Sequence, residues 1–266
     1  MSKGKTEIGN LAGYLSLIVM RSLRSLFVII FCSPALLFGQ SSWTLTPVFD
    51  SILNIAGRGD TIWMATQNAG IAFFSLGSGQ KGYLDPTNSA LQEWDMRSIC
   101  LTGDAMYAGG NTTGLYVIKG AEVVHYDSLL SLLPGNSVTS IIADPLSDTV
   151  YMATNKGLVK WLDGVSAIYD SAHSEIGADM LTKLFFDSQH NLWIGTRHNG
   201  VTKFDGTTFT NYNFDNAGIN DNWVKCMAED SYGIYFADYL GVDKYPAGDD
   251  WLLFIIHLQH PCKAVK

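Results

Sequence analysis

The sequence is poor in charged residues, proline and cysteine. Only 16% of its 266 residues are charged and seven are proline, whereas 26 are glycine and 12% are aromatic. Beyond residue 40 the cysteines are Cys100, Cys226 and Cys262, which are widely spaced and form no CxxC pair. This spacing argues against a disulfide framework and a zinc site and favours buried free thiols. Many glycines and aromatic residues with few prolines are typical of short strands joined by tight turns.

Basic residues are scarce in most of the chain. Four of the 17 basic and one of the 25 acidic side chains lie in residues 1–40, which leaves 13 basic and 24 acidic side chains in the remainder. A surface of that sign repels phosphate backbones, and no basic stripe offsets it. We therefore expect no nucleic-acid partner.

Motifs for catalysis are also missing. The sequence contains no nucleophile elbow, no HExxH, no phosphate-binding loop and no distinctively spaced carboxylate pair. We expect a protein that is not an enzyme and has no cofactor or metal. An extracellular hydrolase or lyase acting on polysaccharide stays open as the alternative, because an enzyme can assemble its site from scattered loops that carry no local motif.

The N-terminal region has the pattern of an export signal. Arg21 and Arg24 precede an apolar run at residues 26–38, which is followed by Gly39 and Gln40. The run is short for a membrane span and the two arginines interrupt the longer apolar stretch. We interpret residues 1–40 as a signal peptide and expect a periplasmic or secreted protein. An uncleaved signal acting as a membrane anchor is the other interpretation.

An internal repeat is the most informative feature. Each repeat has an aromatic anchor followed six or seven residues later by a glycine, as in Trp193 and Gly200. Spacings between successive anchors are 44, 44, 42 and 42 residues, and a fixed period of this length is typical of β-propellers. The five anchors are Trp63, Tyr107, Tyr151, Trp193 and Tyr235.

One repeat encodes four strands. In residues 181–212, β-rich segments alternate with turns at residues 187–191, 197–200 and 205–206. The fold class predicted is all-β, a propeller of about five four-stranded antiparallel blades in a domain at residues 41–266. The repeats lie near residues 51–95, 96–137, 138–180, 181–223 and 224–257.

The two ends of the domain leave closure of the propeller open. Residues 43–46 and residues 251–256 both have the pattern of an outer strand, and the repeats need only one of them. Two architectures remain: a closed ring of five blades, or an incomplete, truncated piece of a larger ring.

The fourth repeat resembles a known family. The segments DSQHNLWIGT at 187–196, GVTKFDG at 200–206 and FTNY at 209–212 are similar to the two-component regulator propeller repeat. Residues 216–222 also resemble the family's linker between blades. The resemblance covers residues 43 to about 250 and implies a periplasmic sensing propeller, here without kinase domains. A pure interaction scaffold or a gene fragment is a further alternative.

One face of the propeller is the expected binding site. Turns between the second and third strands share a face with the linkers between blades, where propellers usually bind. Amides with indole and phenol rings suit a glycan or peptide ligand, and a protein partner is also possible. Residues predicted on this face are Gln67, Asn68, Trp94, Asn111, Asn155, Lys156, Arg197, His198, Asn222, Trp223 and Tyr239.

Several of these patterns also have a purely structural interpretation. Asparagine is favoured in tight turns by its backbone geometry and side-chain capping alone. Trp63 and Trp193 recur at the blade period, which favours a role in the core between blades. Asp187 and Asp144 resemble the aspartates of a sialidase Asp box, which are themselves structural.

Overall fold

The computed structural model describes residues 51–245 and 252–254, and these form five four-stranded antiparallel sheets. The predicted all-β fold with four-stranded blades is therefore confirmed. The predicted signal peptide, the predicted strand at 43–46 and the rest of the segment at 251–256 lie outside the described residues. All described residues belong to one compact unit, Phe49–Lys266.

Each blade consists of four strands consecutive in sequence, numbered outward from the innermost strand. Blade 1 contains β1 (Ile52–Arg58), β2 (Thr61–Thr66), β3 (Ile71–Ser75) and β4 (Lys81–Leu84). Blade 2 contains β5 (Met96–Thr102), β6 (Ala105–Gly110), β7 (Leu115–Lys119) and β8 (Glu122–Tyr126). Blade 3 contains β9 (Val138–Ala143), β10 (Val150–Thr154), β11 (Gly157–Trp161) and β12 (Val165–Tyr169). Blade 4 contains β13 (Leu181–Phe186), β14 (Leu192–Thr196), β15 (Val201–Phe204) and β16 (Phe209–Tyr212). Blade 5 contains β17 (Cys226–Asp230), β18 (Gly233–Ala237), β19 (Val242–Tyr245) and β20 (Leu252–Phe254).

The core lies between the blades. All five residues of β14 are buried, because this strand is covered on both faces by neighbouring blades. The Trp193 ring is fully buried, with its centroid 5.2 Å from that of Phe236 in blade 5. Trp193 therefore belongs to the core between blades, as the repeat period favoured. A short helix, α1 (Phe214–Ala217), lies in the linker from blade 4 to blade 5 and is capped by Asn213.

The threonine and glycine of the repeat close the turn between its second and third strands. Thr196 Oγ1 donates to the Gly200 carbonyl at 3.0 Å, and the Thr154 hydroxyl bonds to Gly157 in the same way. Gly200 has a φ of +69°, and a Cβ there would overlap the carbonyl oxygen of Tyr212. The repeat therefore needs glycine for both the backbone angle and the close approach of β16.

Hydrogen bonds between adjacent inner strands set the register of the blades. The Ile141 amide donates to Ser98 Oγ at 2.8 Å, and the Leu184 amide donates to Ser140 Oγ at 3.1 Å. At the same position in blades 1 and 2, the Ile99 amide donates to Asn54 Oδ1 at 2.9 Å. Each of these blades thus carries one short polar side chain that satisfies an amide at the edge of the next blade.

The second residue of the third strand anchors the preceding linker. Gln92 N donates to Tyr116 Oη at 3.0 Å, and Gly177 N donates to Thr202 Oγ1 at 3.3 Å. In blade 3 the linker position is Pro134, which has no N–H to satisfy, and the strand position is the apolar Val159, the third residue of β11, which pairs with Met152 as Thr202 pairs with Ile194. The third strand therefore carries a hydroxyl acceptor where the linker has a backbone N–H, as in blades 2 and 4. It carries an apolar side chain in blade 3, where the linker has a proline.

Inner strands pack in the order β1, β5, β9, β13, β17. Among the described residues, no comparable packing joins β17 to β1. The described blades therefore form a row of five with two end faces.

Candidate functional site

The predicted loop face is assembled by backbone hydrogen bonds between turns and linkers. Gly70 N donates to the Trp94 carbonyl and Gly200 N donates to the Asn222 carbonyl, both at 2.9 Å. Gly157 N bonds to Asp179 O at 2.8 Å in the same way. In blades 1, 3 and 4 the turn between the second and third strands is thus joined to the linker that leads to the next blade, and both lie on one face.

Three of the predicted residues meet at the junction of blades 4 and 5. The guanidinium carbon of Arg197 lies 4.7 Å from the centroid of the Trp223 ring, and the ring of Tyr239 meets that of Trp223 edge to face at 4.8 Å. Tyr239 is 59% exposed, Arg197 is exposed and Trp223 is half-buried. These side chains form a surface with flat apolar faces and a cation within reach of solvent.

Lys225 completes this surface and was missed by sequence reasoning. Its Nζ lies 2.8 Å from the centroid of Tyr239 and 5.2 Å from that of Trp223. The four residues Arg197, Trp223, Lys225 and Tyr239 are called the junction cluster below. Cation–π contact holds both charges over the rings and leaves their outward sides available to an anion. The signal in the sequence was a lysine two residues after a predicted aromatic residue.

The guanidinium of Arg197 has little hydrogen bonding within the protein. Among the described residues its only acceptor is Met180 Sδ, at 3.6 Å, and a thioether is a weak acceptor. A guanidinium presents five N–H donors in a planar fork that matches a carboxylate or sulfate. Arg197 is therefore suited to bind an external anion.

Acidic side chains lie beside the junction cluster. Asp238 immediately precedes Tyr239, and its Oδ1 accepts hydrogen bonds from Leu240 N at 2.7 Å and Gly241 N at 2.6 Å. Asp243 is 2% exposed, and its Oδ2 accepts from Asn220 N at 2.9 Å. Burial, with the nearby carboxylates of Asp238 and Asp221, raises the pKa of Asp243 to about 6.

The Asp243 carboxyl is nevertheless a structural group. It occupies the linker-anchoring position held by Tyr116 and Thr202 in blades 2 and 4. At 2% exposure it is inaccessible to a polymeric substrate. Its shifted pKa therefore reflects burial among like charges, and it does not mark a catalytic acid.

The other predicted residues lie elsewhere on the loop face. Asn155 and Asn222 hold the chain locally, because Asn155 Oδ1 accepts from Ser137 N at 3.3 Å and Asn222 Oδ1 accepts from Phe214 N at 2.9 Å. Trp94 is 44% exposed in the linker from blade 1 to blade 2. The remaining predicted residues lie in turns and do not join the junction cluster: Gln67, Asn68, Asn111, Lys156 and His198.

Apart from the junction cluster, a concave region lies between the outer strands of blades 2 and 3. It has a volume of about 200 Å³ and is lined mainly by aromatic and charged side chains. None of the predicted site residues contributes to it. Its lining residues are Tyr107, Val117, Lys119, Glu122, Val124, Tyr126, Trp161 and Asp163.

The described residues contain no group of three or more His, Cys, Asp or Glu side chains arranged to hold a metal ion. In the same part of the chain, no helix is both long and apolar enough to cross a membrane.

Comparison with solved structures identifies propellers of two kinds. No family model matches the sequence, and no curated protein matches it. The extracellular domain of the B. thetaiotaomicron hybrid two-component system BT4673 is similar, with 21% identity and a TM-score of 0.62 over 79% of this chain and 28% of that chain. The corresponding domain of BT3049 has 18% identity and a TM-score of 0.62 over 74% of this chain and 27% of that one.

A lyase has the same fold. Virginiamycin B lyase from Staphylococcus aureus matches at 12% identity with a TM-score of 0.63, over 82% of this chain and 74% of the lyase. This chain spans only about a quarter of the length of the two sensor domains. The likeness to the sensor domains is consistent with the resemblance of the fourth repeat to two-component regulator propellers. At these identities the comparisons show the fold, and the chain has the β-propeller fold of these extracellular domains.

Proposed function

We propose that the protein is an exported, non-catalytic propeller that senses its surroundings by binding an acidic carbohydrate at the junction cluster. The observation that carries the proposal is the arrangement of Arg197 and Lys225 over the rings of Trp223 and Tyr239. Extracellular sensor domains with the same fold support an exported, sensing role. An acidic peptide is the other ligand class that the cluster suits.

The chemistry of the cluster favours a ligand that is both flat and anionic. The apolar C–H face of a sugar ring packs on an exposed aromatic ring, and its carboxylate or sulfate pairs with a guanidinium or ammonium group. Apart from residues 1–40 the chain has 24 acidic and 13 basic side chains, so two cations on one exposed surface are a local exception. The guanidinium and ammonium groups therefore favour a ligand that carries a carboxylate or sulfate.

Catalysis on extracellular polysaccharide is the alternative that the sequence leaves open, and virginiamycin B lyase shows that a propeller of this fold can be an enzyme. The carboxyl of Asp243, whose pKa is raised to about 6, is buried and anchors a linker. The cluster contains no carboxylate, the group that glycoside hydrolases use as acid and base, and Lys225 Nζ lies over the face of the Tyr239 ring and not in a hydrogen bond with its hydroxyl. The geometry therefore supports binding over hydrolysis or elimination.

A binding screen tests the proposal. The purified protein is mixed with acidic oligosaccharides, neutral oligosaccharides of the same size and acidic peptides, and its thermal midpoint is measured. We expect stabilisation by an acidic oligosaccharide, with affinity that falls as salt is added because the contacts are ionic. Stabilisation by no ligand class, or by neutral sugars alone, contradicts the proposal.

Variants then locate the site. Trp223→Ala and Arg197→Gln are each expected to weaken binding about tenfold or more, as loss of an aromatic or arginine contact does. Trp94→Ala is the matched control, since Trp94 is an exposed tryptophan on the same face but outside the cluster. Lys119→Ala reports on the concave region between blades 2 and 3. A loss of binding in Lys119→Ala, with Trp223→Ala unaffected, places the ligand in that region and overturns the assignment.

A further inference from the structure

The first blade exposes side chains that every other blade buries. Ile52 and Ile55 on β1 are 46% and 60% exposed. Equivalent positions in blades 2 to 4 follow from the pairing of each inner strand with the second strand of its blade. The equivalents of Ile52 are Met96, Val138 and Leu181, and those of Ile55 are Ile99, Ile141 and Leu184. These six equivalents are between 0 and 7% exposed. The difference arises because no blade precedes β1 in the described row.

The fifth blade shows the complementary difference on its opposite side. Val242 is half-buried, whereas its equivalents Ile71, Leu115, Leu158 and Val201 are all 0% exposed. Ala237 is likewise half-buried, whereas the equivalent alanines Ala65 on β2 and Ala153 on β10 are fully buried. In blades 1 to 4 these positions are covered by the inner strand of the next blade. Blade 5 therefore presents the same surface without a partner among the described residues.

The two end faces are the two halves of one interface. The contact of blade 1 with blade 2 packs Ala65 and Ile71 against Met96 and Ile99. At the end faces, Ala237 and Val242 stand where Ala65 and Ile71 do, and Ile52 and Ile55 stand where Met96 and Ile99 do. The interface occurs four times within the row, so its geometry and apolar character are established by the protein itself.

We propose that blade 5 of one molecule packs on blade 1 of a second copy, continuing the propeller from chain to chain. The contact is head-to-tail, since it joins two different faces, and it repeats the packing already present between successive blades. Exposed apolar patches of this kind are typical of interaction surfaces in soluble proteins. The second copy is the occupant favoured by the structure because it carries the required complementary face.

Oligomeric state tests the proposal. Sedimentation and light scattering of the full chain at low and high concentration are expected to show association that rises with concentration. Ile55→Lys is expected to weaken it about tenfold or more, because the lysine charge would be buried against an apolar face. Leu146→Lys, at a 76% exposed position in a turn of blade 3, is the control and leaves association unchanged. A protein that stays monomeric at all concentrations, or association that survives Ile55→Lys, overturns the proposal.

A mixing experiment distinguishes head-to-tail association from a symmetric dimer. Ile55→Lys damages only the blade 1 face, and Ala237→Glu damages only the blade 5 face. Each variant alone is expected to be monomeric, while an equimolar mixture forms a dimer through the two intact faces. A mixture that remains monomeric, with both variants folded by circular dichroism and thermal midpoint, contradicts the head-to-tail arrangement. Ligand affinity at the junction cluster is measured separately, so failure of one proposal leaves the other standing.

Discussion

Blades 4 and 5 have the same four-strand layout but satisfy it with different chemistry. Thr196 ends the second strand of blade 4, and Thr202 occupies the linker-anchoring position on its third strand. In blade 5 the corresponding residues are Asp238 and Asp243. Two neutral hydroxyls are thus replaced by two carboxylates within one blade. Both carboxylates still accept the backbone hydrogen bonds that the turn and linker require.

The replacement has an electrostatic cost. The pKa of Asp243 rises to about 6 because the side chain is buried and lies close to Asp238 and Asp221. Asp238 Oδ2 is buried without an N–H or hydroxyl donor among the described residues, and the Asp238 side chain lies against the carboxyl of Asp243. Blade 5 is therefore expected to be less stable than blade 4. Blade 5 also supplies Lys225 and Tyr239 to the junction cluster. The proposed site therefore lies between a blade of higher expected stability, blade 4, and one of lower expected stability, blade 5.

The same contrast holds at the start of the second strand. In blade 4, Asp187 is buried and accepts from Trp193 Nε1 at 2.8 Å, Asn191 N at 2.7 Å and Asn191 Nδ2 at 2.7 Å. In blade 5, the exposed Asp230 accepts from Tyr235 Oη at 3.2 Å. The aspartate has the same place in both repeats. It accepts a network of buried hydrogen bonds in blade 4, whereas it accepts hydrogen bonds of an exposed turn in blade 5.

The largest effect is expected from breaking this network in blade 4. Asp187→Ala leaves the indole N–H of Trp193 and the amide groups of Asn191 buried without their acceptor, which costs about 3 to 5 kcal/mol of unfolding free energy. Asp230→Ala, which removes the exposed counterpart, is expected to cost much less. Urea denaturation of both variants measures the difference. Equal losses of unfolding free energy in the two variants would contradict this expectation, because they would show that the buried aspartate stabilises its blade no more than the exposed one.

The blade itself could be predicted from the sequence because its signals are local. The spacing of Trp193 and Gly200 reflects a turn closed by Thr196, and this geometry recurs at a fixed period. Three members of the junction cluster were predicted for the same reason, since turns and linkers fall at known places in the repeat. Their convergence at one junction was not predictable, because the approach of Arg197 to Trp223 depends on how two blades pack.

Other features depend on burial that no periodicity reveals. Lys225 lies at the start of an inner strand, and nothing in the pattern shows that its side chain reaches Tyr239. The raised pKa of Asp243 needs the depth of the side chain and its distance from two other carboxylates. Ile55 and Ile99 have the same residue type and place in the repeat, yet one is 60% and the other 3% exposed. Sequence patterning gives the face of a residue but not whether a neighbouring blade covers it.

Placing the carboxylate of blade 5 at the equivalent position of blade 4 tests whether a buried carboxylate destabilises a blade. Thr202 is fully buried, accepts from Gly177 N and donates to Asn211 Oδ1 at 2.6 Å. Thr202→Asp places a carboxylate against that amide oxygen and is expected to lower the unfolding free energy by about 2 to 3 kcal/mol. Thr202→Val is the control, which loses both hydrogen bonds without adding charge. If Thr202→Asp is as stable as Thr202→Val at pH 8, the buried charge does not lower the free energy of unfolding and the expectation is wrong.

The smallest effect is expected in the reverse direction, from Asp243→Thr in blade 5. The pKa of Asp243 is higher in the folded protein than in the unfolded chain, so the folded state binds the Asp243 proton more tightly. The protonated carboxyl therefore contributes stability below about pH 4. This contribution is lost as the pH rises through about 6. Threonine keeps an acceptor for Asn220 N and removes the charge, so the variant should gain about 1 to 2 kcal/mol at pH 8 and little at pH 4. Thermal midpoints from pH 4 to pH 8 measure the difference between the variant and the natural protein. A gain that does not change with pH would mean that packing, and not the carboxylate, distinguishes the two blades.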